Sequence, residues 1–240
     1  MQQRNASPSA DLPQTSTPSG VCSPHRTRPL PHQAHLLALS TMKPSVDALI
    51  IDAFTDAQNS FAAHPRARDL LTKALNLDIQ RFFGCFFSAL NRALLVFTRD
   101  PPVERLIAFI ASFAASHSSL TPSSPVNVCS VILAYALDKH AAANKAVRFR
   151  VTQLLAETLD ALPENAELDD ELWDPLVEAL LARIRDKIPR TRAAAARGLC
   201  RFQAGNHGEE VAERLAGIMS GDGVAAVRKA AVEAVAVESE

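Results

Sequence analysis

From Ser45 onward the apolar residues recur with the 3.6-residue period of helices buried on one face. Ile50, Phe54, Ala57 and Phe61 stand at offsets 0, 4, 7 and 11, on one side of a helix that begins near Ser45, a side chain suited to cap an N-terminus. His64-Pro65 is expected to end it, since a residue before proline avoids the α region. Leu70, Leu71, Ala74 and Leu75 mark a second, short helix. A third runs from Phe82 to Phe97 with Phe86, Leu90 and Leu94 between, and stops at Asp100-Pro101-Pro102. Val103, Leu106, Ile107, Ile110 and Phe113 make a fourth, and the Ser/Thr/Pro cluster from Ser116 to Pro125 reads as a loop. No convincing run alternates with the period of two that a strand requires.

Beyond Pro125 the helices come in pairs of one design. Val128, Val131, Ile132 and Tyr135 mark one helix, and after a linker over Ala141 to Lys145 its partner carries Val147, Val151, Leu154, Leu155 and Leu162. Trp173, Val177, Leu180 and Ile184 are followed by a partner from Pro189 to Phe202, with the proline where a first helical turn tolerates it. Val211, Leu215 and Ile218 lead through Gly221-Asp222-Gly223 to Val227, Ala231 and Val235. The second helices align at Val147-Arg148, Thr191-Arg192 and Val227-Arg228, separated by 44 and 36 residues, which brackets the length of HEAT and armadillo repeats. Asp186 precedes Arg192 by six residues and Asp222 precedes Arg228 by six, the HEAT pattern of an inter-helix Asp and an Arg at the head of the second helix. The first pair departs from it, with Ala142 in the Asp position. Arg148, Arg192 and Arg228 are accordingly expected to be structural, bonding loop carbonyls or a neighbouring repeat's Asp. The fold expected is an all-α HEAT-repeat solenoid over residues 45–240, each pair stabilised by stacking on the next.

Composition separates the ends of the chain. Residues 1–44 hold 7 of the 15 prolines, many Ser and Thr and a single acidic residue, Asp11. Such a segment cannot bury enough apolar surface to offset chain entropy, so it is expected to be a disordered tail, with Met42 a plausible alternative start. The apolar stretch Phe82–Phe97 is broken by Asn91 and Arg92 and is too short for a membrane span. Cys22, Cys85, Cys129 and Cys200 form no CxxC pair, which fits a reducing compartment better than a disulfide framework or a zinc finger.

Catalytic signatures are missing: no HExxH, GxSxG, GxxxxGK[ST], or GxGxxG after a strand. His64, His117, His140 and His207 are dispersed over helix ends and loops, and His25, His32 and His35 fall in the tail. Glu164, Glu167, Asp169, Asp170, Glu171 and Asp174 crowd one inter-helix linker, where they complement a helix dipole and stay solvated. No catalytic residue, metal ligand, cofactor or small-molecule substrate is expected, and no membrane partner.

The cations change the picture more. Arg183, Arg185, Lys187, Arg190, Arg192, Arg197 and Arg201 stand against the one anion Asp186, although the chain as a whole carries a net charge of -1. With Lys145, Arg148 and Arg150 one repeat earlier and Arg228 and Lys229 one repeat later, cations recur at equivalent turns. Stacking brings such turns into a row able to follow a phosphate backbone without reading bases. A solvated helix face with some cations tied up in structure accounts for the same run equally well. The charge reading puts Lys145, Arg150, Lys187 and Arg190 first as DNA contacts, being least explained by the repeat, with Arg197, Arg201 and Lys229 behind them.

The run from Asn144 to Leu155, NKAVRFRVTQLL, followed by Leu162–Asp169 and by Arg183–Pro189, resembles the N-terminal region of the condensin G-type HEAT subunit family (CAP-G). Phe54, Gln58, His64 and the stretch Pro102–Ile110 resemble the same family, so the likeness covers roughly residues 45–240; Asn76–Ser88 and the tail fit it less well. Members of that family are longer, which implies a fragment or a truncated gene product. The resemblance implies a non-catalytic subunit of condensin whose HEAT array holds a kleisin segment and double-stranded DNA in mitotic chromosome condensation. It further implies a link to the ATP-hydrolysing SMC subunits through kleisin, and a place in the nucleus and on chromosomes with a cytoplasmic pool. It assigns no contact to a single position. A protein-protein adaptor of the same fold that never meets nucleic acid is the alternative.

Overall fold

The computed structural model describes residues 44–119, 126–164, 166 and 168–236; the tail expected at 1–44 lies outside the described residues except for Pro44, as does 120–125 of the expected loop. Ten α-helices follow one another among the described residues, and no strand occurs there. They are α1 (Val46–Asn59), α2 (His64–Leu77), α3 (Ile79–Leu94), α4 (Pro101–Ala115), α5 (Val128–Lys139), α6 (Lys145–Ala161), α7 (Trp173–Arg183), α8 (Pro189–Leu199), α9 (Gly208–Gly221) and α10 (Ala225–Ala236). Single 3-10 turns lie at Phe61–Ala63, Asp170–Leu172 and Cys200–Phe202.

Local chemistry sets most helix starts. Ser45, Asp78, Asn127 and Asn144 each accept a hydrogen bond from a first-turn amide, of Ala48, Arg81, Ser130 and Ala146 respectively. Pro65, Pro101, Pro102 and Pro189 occupy first turns, where a missing N–H leaves no bond unmade. Two boundaries differ from expectation. His64-Pro65 opens α2 instead of ending α1, which stops at Asn59; His64 takes helical angles (φ -56, ψ -41) although a proline follows. Helix α3 ends at Leu94, so Phe97 leaves the apolar run and sits in the connection to α4.

Helices α4, α6, α8 and α10 lie side by side in one layer, and α5, α7 and α9 cover α6, α8 and α10 in a second. Helix α1 packs on α2, α3 and α4. One apolar core runs through the layers from Val46 to Ala234. Its composition grades along the stack. Phe82, Phe86, Phe109 and Phe113 are wholly buried at the α3–α4 end, where Phe54 meets Phe86 edge to face at 5.5 Å. Toward α8 and α10 the buried side chains are mostly alanines, Ala193–Ala196, Ala230, Ala231 and Ala234, which let helices approach closely. At Gly198 the approach is close enough that a Cβ would stand 3.3 Å from Ala156 Cα. Paired helices stacked in two layers with a continuous core are a HEAT-repeat α-solenoid.

Candidate functional site

The turns ahead of α6, α8 and α10 carry a repeated bonding scheme. The fourth residue of each helix is arginine: Arg148, Arg192 and Arg228. Each donates from NH1 to the carbonyl six residues earlier: Arg148 to Ala142 at 2.9 Å, Arg192 to Asp186 at 2.9 Å and Arg228 to Asp222 at 2.7 Å. The first two also reach the Asp of the following repeat, Arg148 Nε to Asp186 Oδ2 at 2.9 Å and Arg192 to both oxygens of Asp222 at 2.7 and 2.9 Å. A side-chain carboxylate is therefore needed by the preceding repeat's arginine, while the turn's own arginine needs only a carbonyl. This explains Ala142: the fourth residue of α4 is Glu104, so no arginine reaches for it.

Electrostatics follows this bonding. Burial works against ionising Asp186, yet bonds from Arg148 and the Ile188 amide, with the charges of Arg148 and Arg183, hold its carboxyl below the usual range. The bond from Arg192 is the main cause of the lowered Asp222 carboxyl, and the same pair raises Arg192.

Where the connection after α3 meets the first turns of α6 and α8, exposed cations collect around two aromatic rings. Lys145 Nζ stands 4.7 Å from the centre of the Phe97 ring, and the Arg190 guanidinium lies 5.9 Å from that of Phe149 and donates to the Phe97 carbonyl at 3.3 Å. Phe97 and Phe149 meet edge to face at 6.2 Å. An open groove across the α4–α6–α8 layer begins here, lined by Arg99, Glu104, Phe149, Gln153, Arg190, Ala193 and Arg197. Lys145, Lys187, Arg190, Arg197 and Arg99 are all exposed. A solvent-facing set of cations over aromatic faces can bind an anionic polymer, keeping its charge in water and its stems on apolar surface.

The structure removes one expected DNA contact, Arg150, and gives a second, Arg201, structural partners. Arg150 is 0% exposed and cannot meet a phosphate; its donors are spent inside, on Val96 O, Thr98 O, Glu104 and Gln153. Arg201 is drawn over the end of α6, donating to the carbonyls of Leu159, Leu162 and Pro163, as a cation does at a helix C-terminus. Lys229 is exposed on α10, remote in sequence from the cluster and ion-paired with Glu233 at 3.3 Å. Sequence reasoning passed over Arg99, Phe97 and Phe149. Arg99 was legible as a charge beside a turn, but Phe97 carried the signal of a helix core.

Of the acidic linker, Glu167 lies outside the described residues; Asp174 bonds His207 at 2.9 Å, and Asp170 and Glu171 form a 3-10 turn leading into α7. Among the described residues no group of three or more His, Cys, Asp or Glu side chains could hold a metal ion, and no helix is long and apolar enough to cross a membrane.

No family model matches the chain. It is 36% identical over 165 residues to condensin complex subunit 3 of Xenopus laevis, which covers 64% of this chain and 16% of that protein. The Homo sapiens protein of the same name is 34% identical over 157 residues, covering 63% of this chain and 16% of its own length. Among solved structures, the S. pombe condensin Cnd3-Cnd2 subcomplex superimposes with a TM-score of 0.63 at 27% identity, over 76% of this chain and 23% of that one. The chain thus spans 16% of the length of the frog and human relatives. In sequence and in helix layout alike, the chain is similar to condensin complex subunit 3 proteins.

Proposed function

We propose that this chain is part of a non-catalytic condensin scaffold that holds a kleisin segment and double-stranded DNA in mitotic chromosome condensation. On this reading it reaches the SMC subunits through kleisin, leaves ATP hydrolysis to them, and resides in the nucleus and on chromosomes with a cytoplasmic pool. The observation that carries the DNA part is the cluster of Lys145, Arg190 and Arg99 around Phe97 and Phe149, with Lys187 in the turn ahead of α8 and Arg197 along the groove. Support for the kleisin part is the likeness to the Cnd3-Cnd2 subcomplex.

Mechanistically, exposed cations on successive turns replace condensed counterions along a duplex, and each phosphate neutralised contributes about 0.9 to the slope of log affinity against log salt. With Arg150 buried, the exposed Lys145, Arg190 and Arg197 are the cations of α6 and α8 left for phosphates, and the reading assigns no contact to a base edge. Binding is therefore salt-sensitive and sequence-tolerant.

The test is a titration of the chain with duplex DNA at two salt concentrations, with and without a kleisin peptide. Charge reversal at Lys145, Lys187 and Arg190 should weaken binding at least about tenfold and flatten the salt slope by about 0.9 for each phosphate no longer neutralised. Binding unchanged by these reversals would remove the cluster from the proposal. Kleisin capture without DNA binding at low salt would leave a protein-protein adaptor.

A further inference from the structure

Arg150 is the largest fully buried side chain of the described residues, and its surroundings give it a different role from its exposed neighbours. Its Nε donates to Val96 O and its NH2 to Thr98 O, both at 2.8 Å, so the guanidinium grips alternate carbonyls of the segment joining α3 to α4. Its NH1 is shared between Glu104 Oε1 on α4 and Gln153 Oε1 one turn along α6, each at 2.8 Å. Gln153 returns a bond to the other Glu104 oxygen at 2.7 Å, which ties charge, amide and loop into one network. The carbonyl between the two gripped ones, that of Phe97, faces outward and accepts from Arg190. The Phe97 ring lies beneath Lys145, and Arg99 follows two residues on.

We infer that Arg150 is a positioning residue: it binds no anion itself, but by clamping residues 96–98 it sets Phe97, Arg99, Arg190 and Lys145 in one surface. This inference rests on the DNA-binding reading above for its functional consequence, and on the clamp alone for its structural one. A lysine at this position would keep the formal charge but could not span two carbonyls and a carboxylate, because an ammonium lacks the planar fork.

The experiment uses Arg150→Lys in the chain, with Lys145→Ala/Arg190→Ala made in both backgrounds. Were Arg150 a phosphate contact, the lysine would bind duplex DNA almost as well as the native residue. As a clamp, its replacement is expected to weaken binding about tenfold, and the further loss from Lys145→Ala/Arg190→Ala should shrink from about tenfold to about twofold, the non-additivity of groups acting through one another. General destabilisation does not produce that coupling. Trypsin cleavage after Arg99, read by mass spectrometry, tests the clamp without DNA: it should accelerate in Arg150→Lys while cleavage after Lys73 stays unchanged. Should Arg150→Lys fail to fold, Glu104→Gln removes its ion-pair partner and is expected to act in the same direction, more weakly. Native DNA affinity in Arg150→Lys, or losses that multiply independently, would overturn the inference. If the native chain binds no DNA, the functional reading falls by itself, and unchanged cleavage after Arg99 would then overturn the clamp.

Discussion

Replacing Asp186 by alanine removes three bonds at once from the junction of two repeats: from Arg148 Nε at 2.9 Å, from Arg183 NH1 at 3.1 Å and from the Ile188 amide at 2.9 Å. The carboxylate is 3% exposed, so water cannot replace it at that spot, whereas Arg148 and Arg183 keep 17% and 18% exposure and recover some hydration. Hydrogen bonds to charged groups contribute about 1.5–3 kcal/mol each and neutral ones about 1, and the partly exposed cations bring the sum below the low end of those values, to about 3 kcal/mol. For a folded unit of this size that lowers the midpoint of thermal unfolding by about 6–12 °C, followed by far-UV circular dichroism. The pair Arg148→Ala and Asp186→Ala should couple by about 1–2 kcal/mol in a double-mutant cycle, because the two side chains lose the same bond. Acid provides an independent check. Folding holds the Asp186 carboxyl below its ordinary value, so its contribution is complete above the unfolded value of about 3.9 and is lost as pH falls through the lower folded one. Native stability should therefore drop in that acid window, and less steeply in the alanine variant. A midpoint lowered by less than about 2 °C at neutral pH would refute the reasoning that the Asp–Arg rung joins the repeats.

Arg192→Lys keeps a charge opposite Asp222 but loses the two-pronged bond, and should cost about 1–2 kcal/mol in urea unfolding; no change would show that charge alone suffices. Phe86→Ala, at a 0% exposed position in contact with Phe54 on α1 and Phe82 on α3, should cost about 3–5 kcal/mol by the same measurement, since the packed rings around it cannot collapse into the space. Burial pushes the Cys129 thiol up to about 12, so at mildly alkaline pH it should resist alkylation in native protein and react only on unfolding; labelling at the native rate of an exposed cysteine would contradict its burial.

Several features of the site were legible before any coordinates. The period of apolar positions located the helices, and cap residues such as Ser45 and Asn144 located their starts, because both act through bonds within a few residues of the chain. Arg148, Arg192 and Arg228 could be singled out by recurrence, since each meets a carbonyl six residues away. Lys145 and Arg150 could not be told apart. They are five residues apart on one helix, both cationic, and the periodicity of α6 is blurred because the run from Phe149 to Ala156 is buried almost all round.

What separates those two residues is decided far from either. Arg150 finds its carbonyl partners 54 and 52 residues upstream, in a segment whose sequence reads as the end of an apolar helix. By itself the sequence determined that paired helices would form and which turns would carry Asp and Arg, because helix period, caps and repeat spacing are local. Only the tertiary structure decided which cations face water and which hold the chain together. Burial of a charge depends on the carbonyls and carboxylates that stacking brings around it, and those come from other repeats.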